Sequence, residues 1–189
     1  MNKAFWNDVA SKGALLGLLM LVSHIFEQAM MLNGTLAQVG IVGIESIVVF
    51  GLYIYLLYRF AKSHSQHYTP EDGFSYGKAF GYIVAISLFA SIIVGLGSYV
   101  STHFIIGYND YIDGVVNMYT NILSESPIPA QMAGIYEQTL EKIEEQPEPS
   151  IFATISGSIW NYLLLGCLAG LIIAAIVKRE PNIFNNDNN

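Results

Sequence analysis

The sequence predicts an all-α protein: a four-helix transmembrane bundle with short amphipathic helices in one large loop between the third and fourth spans. Three observations predict it. Hydrophobic residues make up 53% of the 189 residues and charged residues only 12%, against roughly 25% charge in a soluble domain. Four apolar segments approach the roughly 20 residues needed to cross a hydrocarbon core about 30 Å thick. The basic residues segregate to one side once four crossings are drawn. A soluble bundle would need charged solvent faces, and these segments have almost none.

The spans are expected at residues 13–32, 39–60, 79–101 and 155–177. The first is too long for a signal peptide, and no small-residue cleavage site follows it. A turn of about six residues makes spans one and two an antiparallel hairpin. Asn33-Gly34-Thr35 matches a glycosylation sequon but reads as that turn. Lys3, Lys12, Arg59, Lys62, Lys78, Lys178 and Arg179 all fall on one side, with Lys142 alone opposite. The positive-inside rule then places both termini in the cytoplasm.

The cytoplasmic loop, residues 61–78, is expected to be hydrated. His64 and His67 could share a helical face, but no further metal ligands accompany them. Thr69-Pro70-Glu71-Asp72 reads as a helix start, with Thr as cap and Pro in the first turn. The outer loop, residues 107–154, carries Asp110, Asp113, Glu125, Glu137, Glu141, Glu144, Glu145 and Glu148 against Lys142. Val115, Met118, Tyr119, Ile122 and Leu123 give one amphipathic period, and Met132, Ile135, Tyr136, Leu140 and Ile143 a second. Ser126-Pro127-Ile128-Pro129 separates them, since proline resists helix continuation. No calcium-loop pattern appears. Asn2 to Asp8 reads as an interfacial turn, and the Asn-rich tail from Pro181 as a frayed end.

The net charge of -7 and pI near 4.9 leave no basic footprint for nucleic acid. Cys167, the lone cysteine, excludes an internal disulfide. No nucleophile elbow, zinc-protease helix or phosphate loop is present, so the chain reads as non-enzymatic, with no cofactor and no resident metal.

Functional expectations rest on intramembrane polar groups. His24, Glu27 and Gln28 share one face of span one. Glu45 in span two and Asn161 in span four fall at similar depth in the outer half, with Ser98 of span three nearby. A charge in hydrocarbon costs at least about 2.5 kcal/mol on insertion scales, so the acids should face the bundle. Glu27 is expected to share a proton or hydrogen bond with His24 or Glu45. Three roles stay open: a proton or cation relay, a recognition pocket opening outward, and a polar clasp that fixes helix register.

Small residues supply packing surfaces in lipid. Gly166 and Gly170 form a stripe on span four, Gly77 and Gly81 one on span three, and Gly13 and Gly17 open span one. They are expected to pack within the bundle rather than between copies. Tyr53, Tyr55, Tyr58 and Phe80 read as an inner aromatic belt, and Tyr99, Phe152, Trp160 and Tyr162 as an outer one. The lipid bilayer is one expected partner, and a membrane-protein partner or second copy another. The leading expectation is a structural or accessory subunit, and the alternative a small transporter or proton-coupled subunit using Glu27 and Glu45.

Three pieces carry a family resemblance: Lys12-Gly13-Ala14-Leu15-Leu16-Gly17, then Asp72-Gly73-Phe74-Ser75-Tyr76-Gly77-Lys78-Ala79-Phe80, then the Gly-rich stretch from Gly166 to Lys178. In order and spacing the chain resembles the Bacteroidota membrane proteins grouped as domain of unknown function 4199, over roughly Lys12 to Lys178. The resemblance implies an inner-membrane protein of a Gram-negative bacterium with four spans. It implies no activity for any residue.

Overall fold

A computed structural model describes residues 3–32, 34–125 and 130–182, without the side chains of 130–133. Its helices are α1 (Lys3–Met31), α2 (Leu36–Ser65), α3 (Tyr76–Val100), α4 (Tyr108–Glu125), α5 (Ala130–Glu144) and α6 (Ile151–Val177). A π-helical turn, Ser101–Ile106, extends α3 without a break. The fold is all-helical, and α1, α2, α3 with its extension, and α6 are long and apolar enough to cross a membrane. The two shorter helices lie between the third and fourth of them.

Each long helix outruns its expected apolar segment because polar caps and amphipathic turns prolong it. Thr35 starts α2 with a capping box: its hydroxyl accepts from the Gln38 backbone N–H, and the Gln38 side chain accepts from the Thr35 N–H. Ser75 and Ser150 cap α3 and α6 in the same sense. Lys3 to Asp8 is part of α1 rather than a separate interfacial turn, and Asn2 lies outside the described residues. Asn33 of the sequon and 126–129 of the proline break also lie outside them, as does the Met132 side chain.

Two expectations for the loop between α2 and α3 are corrected. Helix α2 runs on to Ser65, so His64 is helical and only 8% exposed, not hydrated. Thr69 caps a turn rather than a helix: its hydroxyl accepts from the Asp72 N–H and donates to the Asp72 carboxylate. The chain must then reverse at Gly73, whose φ of 58° is unfavourable for a residue with a Cβ. Asn182, expected in a frayed end, is held, its N–H donating to the Pro70 carbonyl at 2.9 Å. Phe74 and Arg179 exchange backbone hydrogen bonds of 2.9 Å, and the Arg179 guanidinium donates to the Ser65 carbonyl. The tail thus straps the α2–α3 connection, while 183–189 lie outside the described residues.

Helix α3 is the central element. Half of its apolar stretch is buried, against 11% for α2. Glycines decide how closely its neighbours approach. A Cβ on Gly17 of α1 would sit 2.9 Å from the Ala90 carbonyl oxygen of α3. On α6, a Cβ at Gly166 would overlap Ser87, and one at Gly170 would press on Phe80 and Ile83. Gly77 and Gly81, expected on a packing stripe within the bundle, meet nothing within 4 Å. Helical register explains this. Ala79, Tyr82, Ile83 and Ile86 form the buried face of α3, and Gly77 and Gly81 lie on the opposite one.

The core sits toward the end of the bundle that carries the termini. Val9, Leu16, Tyr53, Leu57, Phe74, Tyr82, Ile83 and Ile86 are each at most 1% exposed there. Tyr53, expected in an aromatic belt, is therefore a core residue. Its hydroxyl donates to Ser87 Oγ at 3.0 Å, because a phenol in this interior needs a partner. Toward the other end of α2, Ile41, Ile44, Ile47 and Val48 are all exposed.

Candidate functional site

Helical periodicity places His24, Glu27 and Gln28 on one side of α1, toward its C-terminal end. The structure brings His24, Glu27 and Asn161 onto the wall of one cavity of about 420 Å3. All four long helices contribute polar groups to it: Ser23, His24 and Glu27 from α1, Ser46 from α2, Ser98 from α3, and Ser158, Asn161 and Tyr162 from α6. Met20, Val49, Phe50, Val94 and Leu165 complete the apolar part of the wall. The size fits a small organic molecule. Beyond Leu165, the Tyr53–Ser87 contact and the close α3–α6 packing fill the space toward the termini.

The two carboxylates do not pair with each other. Ser46 Oγ on α2 donates to Glu27 Oε1 at 2.7 Å, and Ser23 Oγ on α1 donates to Glu45 Oε1 at 2.8 Å. Each helix thus gives one acid and takes one, a reciprocal serine–glutamate clasp. His24 Nδ1 stands 4.0 Å from Glu27 Oε2, too far for a hydrogen bond. The expected hydrogen bond from Glu27 to His24 or Glu45 is therefore replaced by one from Ser46. Ser23 and Ser46 were missed because a hydroxyl costs little in lipid and carries no distinctive sequence signal. Glu45 stays outside the cavity wall, and its Oε2 is buried without a hydrogen-bond partner.

Gln28 does something different from its neighbours. It is 7% exposed and locks α1 to the π-helical turn. Its Oε1 accepts from Ser101 Oγ at 2.8 Å, and its Nε2 donates to Thr102 Oγ1 at 3.0 Å. A buried primary amide needs such partners on both ends. The π turn supplies them, and it ends at Gly107, whose φ of 93° lets the chain turn into α4.

A second cavity of about 290 Å3 lies above the first and shares His24 and Ser98 with it. Its roof comes from the segment between α3 and α6. The Tyr108 hydroxyl donates to the Gln146 carbonyl at 3.0 Å and holds the chain entering α6 against the start of α4. His103 stacks between Tyr99 and Tyr108, with Nε2 3.4 Å from Glu148 Oε1 but not aligned for a hydrogen bond. Burial pushes the Tyr108 phenol up, and the Glu148 carboxylate beside it adds to the shift. Burial raises Tyr111 likewise. Both therefore stay protonated donors at neutral pH. Helix α4 also seats on the hairpin of α1 and α2: Gly114 packs on Leu32, and Glu125 accepts from the Leu36 N–H.

The termini end holds a second polar group that the sequence reading did not single out. Asp8 Oδ2 accepts from the Tyr82 hydroxyl at 2.5 Å and lies 3.2 Å from His64 Nδ1, while Oδ1 pairs with Lys12 at 2.8 Å. His64 stacks on Tyr82 with ring centroids 3.9 Å apart. One carboxylate so joins α1, α2 and α3. Asp8 escaped notice because it precedes the apolar run. Among the described residues, no three His, Cys, Asp or Glu side chains converge as metal ligands.

No curated protein and no solved structure matches the chain. Residues 12–179, most of its length, match the family described as protein of unknown function (DUF4199). That span contains the four long helices almost entire, the glycine contacts of α3 and every group lining the two cavities, and the chain belongs to that family.

Proposed function

We propose that this is a non-enzymatic, multi-pass protein of a bacterial inner membrane, with both termini cytoplasmic, that binds a small solute in the cavity at Glu27 and serves as a small transporter or solute-coupled subunit. The observation that carries the proposal is the four-helix cavity, with one carboxylate at a depth where an unneeded charge would be costly. A polar clasp alone would require no void beside it. The second cavity offers a route in from the outer segment, and the packed termini half keeps the site outward-facing. The clasp of Ser23, Glu45, Ser46 and Glu27 then fixes the α1–α2 register around the site.

Labelling tests the proposal. Asn161→Cys in a Cys167→Ala background should react with a membrane-impermeant maleimide added outside spheroplasts. Labelling only after the cytoplasmic side is opened, or none in either case, would contradict an outward-facing site.

A second reading, an accessory subunit, is favoured by one observation. Gly40, Gly43 and Gly51 of α2 join Gly77 and Gly81 of α3 in meeting no neighbour within 4 Å. Small residues let another helix approach closely. Disulfide trapping of Gly81→Cys between copies in the membrane supports that reading if dimers form, and removes its support if none do.

A further inference from the structure

We propose that the solute held at Glu27 is a protonated organic amine; this rests on the cavity being a binding site and adds its ligand class. The first argument is charge. Among the residues lining the cavity, Glu27 is the one acidic side chain, and no Lys or Arg accompanies it. An acidic side chain with no basic partner on the same wall favours a cation over an anion.

The second argument is valence. Glu27 Oε1 already accepts from Ser46, but Oε2 has only His24, 4.0 Å away, beyond hydrogen-bond reach. A primary ammonium carries three donors. One would meet Oε2, and the serine hydroxyls and the Asn161 amide oxygen on the same wall are acceptors for the others.

The third argument separates an organic cation from a bare metal ion. Metal ions need several anionic or carbonyl oxygens at roughly 2.0–2.6 Å, and no three His, Cys, Asp or Glu side chains converge among the described residues. The cavity of about 420 Å3 is far larger than an ion requires. Phe50 and Tyr162 line it, and aromatic faces attract an ammonium and cover its carbon skeleton.

The last argument is delivery. The upper cavity opens beneath a segment with eight acidic residues against Lys142. That imbalance concentrates cations at the mouth and repels anions.

The test uses the full chain in phosphatidylcholine nanodiscs and isothermal titration calorimetry. Phenylethylammonium is the probe, and 2-phenylethanol, the same skeleton with a neutral hydroxyl, is its control. The ammonium should bind saturably and the alcohol at least about tenfold more weakly. Glu27→Gln should lose about tenfold or more for the ammonium, while Glu71→Gln, in the exposed turn between α2 and α3, stays within about threefold. Adding phosphatidylethanolamine distinguishes sources: competition identifies the lipid headgroup amine, and its absence a soluble amine. Equal binding of alcohol and ammonium, or unchanged ammonium binding by Glu27→Gln, overturns the ligand class. Absence of saturable binding of either probe overturns it too. The maleimide experiment decides the cavity reading separately. Should Glu27→Gln fail to fold, the comparison of the two probes on the unmodified chain decides.

Discussion

Gly17→Ala and Gly81→Ala make the same chemical change on two faces of the bundle and should shift stability in opposite directions. Replacing Gly by Ala in a helix gains roughly 0.8–1.0 kcal/mol of intrinsic propensity. At Gly81 nothing lies within 4 Å of the new methyl, so that gain stands alone. At Gly17 the methyl would lie 2.9 Å from the Ala90 carbonyl oxygen and 3.0 Å from its Cα. Unstrained carbon contacts are about 3.5–4.0 Å. The opposing atoms are backbone and cannot rotate aside, so α1 and α3 must separate by several tenths of an ångström. Overpacking of this kind costs typically 1–3 kcal/mol. Parting the helices also loosens the contact of Gly13 with Phe89 and Ile86 one turn away. The upper part of the range therefore applies, for a net loss of about 1–2 kcal/mol. The two variants should differ by about 2–3 kcal/mol. Reversible unfolding in mixed micelles of mild detergent and dodecyl sulfate, followed by circular dichroism, reads both. A Gly17→Ala protein as stable as the parent would refute the close α1–α3 approach. A destabilised Gly81→Ala protein would show that another helix covers that face.

Two further outcomes follow from the polar contacts. In the serine–glutamate clasp, Ser23→Ala and Glu45→Leu should couple by about 1 kcal/mol in a double-mutant cycle, whereas Ser23→Ala with Glu27→Leu should be nearly additive; reversed couplings would mean the acids choose other partners. At the loop end, the raised Tyr108 and Tyr111 phenols bind their protons more tightly in the folded chain. Their stabilisation is complete below the ordinary tyrosine value of about 10 and falls as pH rises beyond it toward the folded values. Melts from neutral to strongly alkaline pH should show that decline, smaller in Tyr108→Phe; an identical profile in the variant would contradict the Tyr108 contact.

The four long helices were legible because hydropathy over some twenty residues is a strong and local signal. The two amphipathic helices between α3 and α6 were legible from their period. Helix ends were less so. Thr69-Pro70 has the residue types of a start, but the true cap is Ser75, since Gly73 must first take a positive φ. Depth in the bundle was readable in part: topology and rise per residue put Glu27, Glu45 and Asn161 at similar depth, and of these Glu27 and Asn161 share a cavity wall while Glu45 lies off it. Partner choice was not. Residues 45 and 46 are adjacent, yet 100° of helical rotation sends Glu45 to Ser23 and Ser46 to Glu27. The Asp8–Tyr82–His64 group was hidden for a different reason: its members are far apart in sequence, and only the packed bundle joins them.

The claim that the rest depends on is that the acidic segment and the Glu27 cavity lie across the bilayer from the two termini. Paired reporter fusions test it most directly, with alkaline phosphatase and a fluorescent protein placed in turn at residues 130 and 182. The account predicts an active phosphatase and a dark fluorophore at 130, and the opposite at 182. A fluorescent fusion at residue 130, or the same response at both sites, would contradict it.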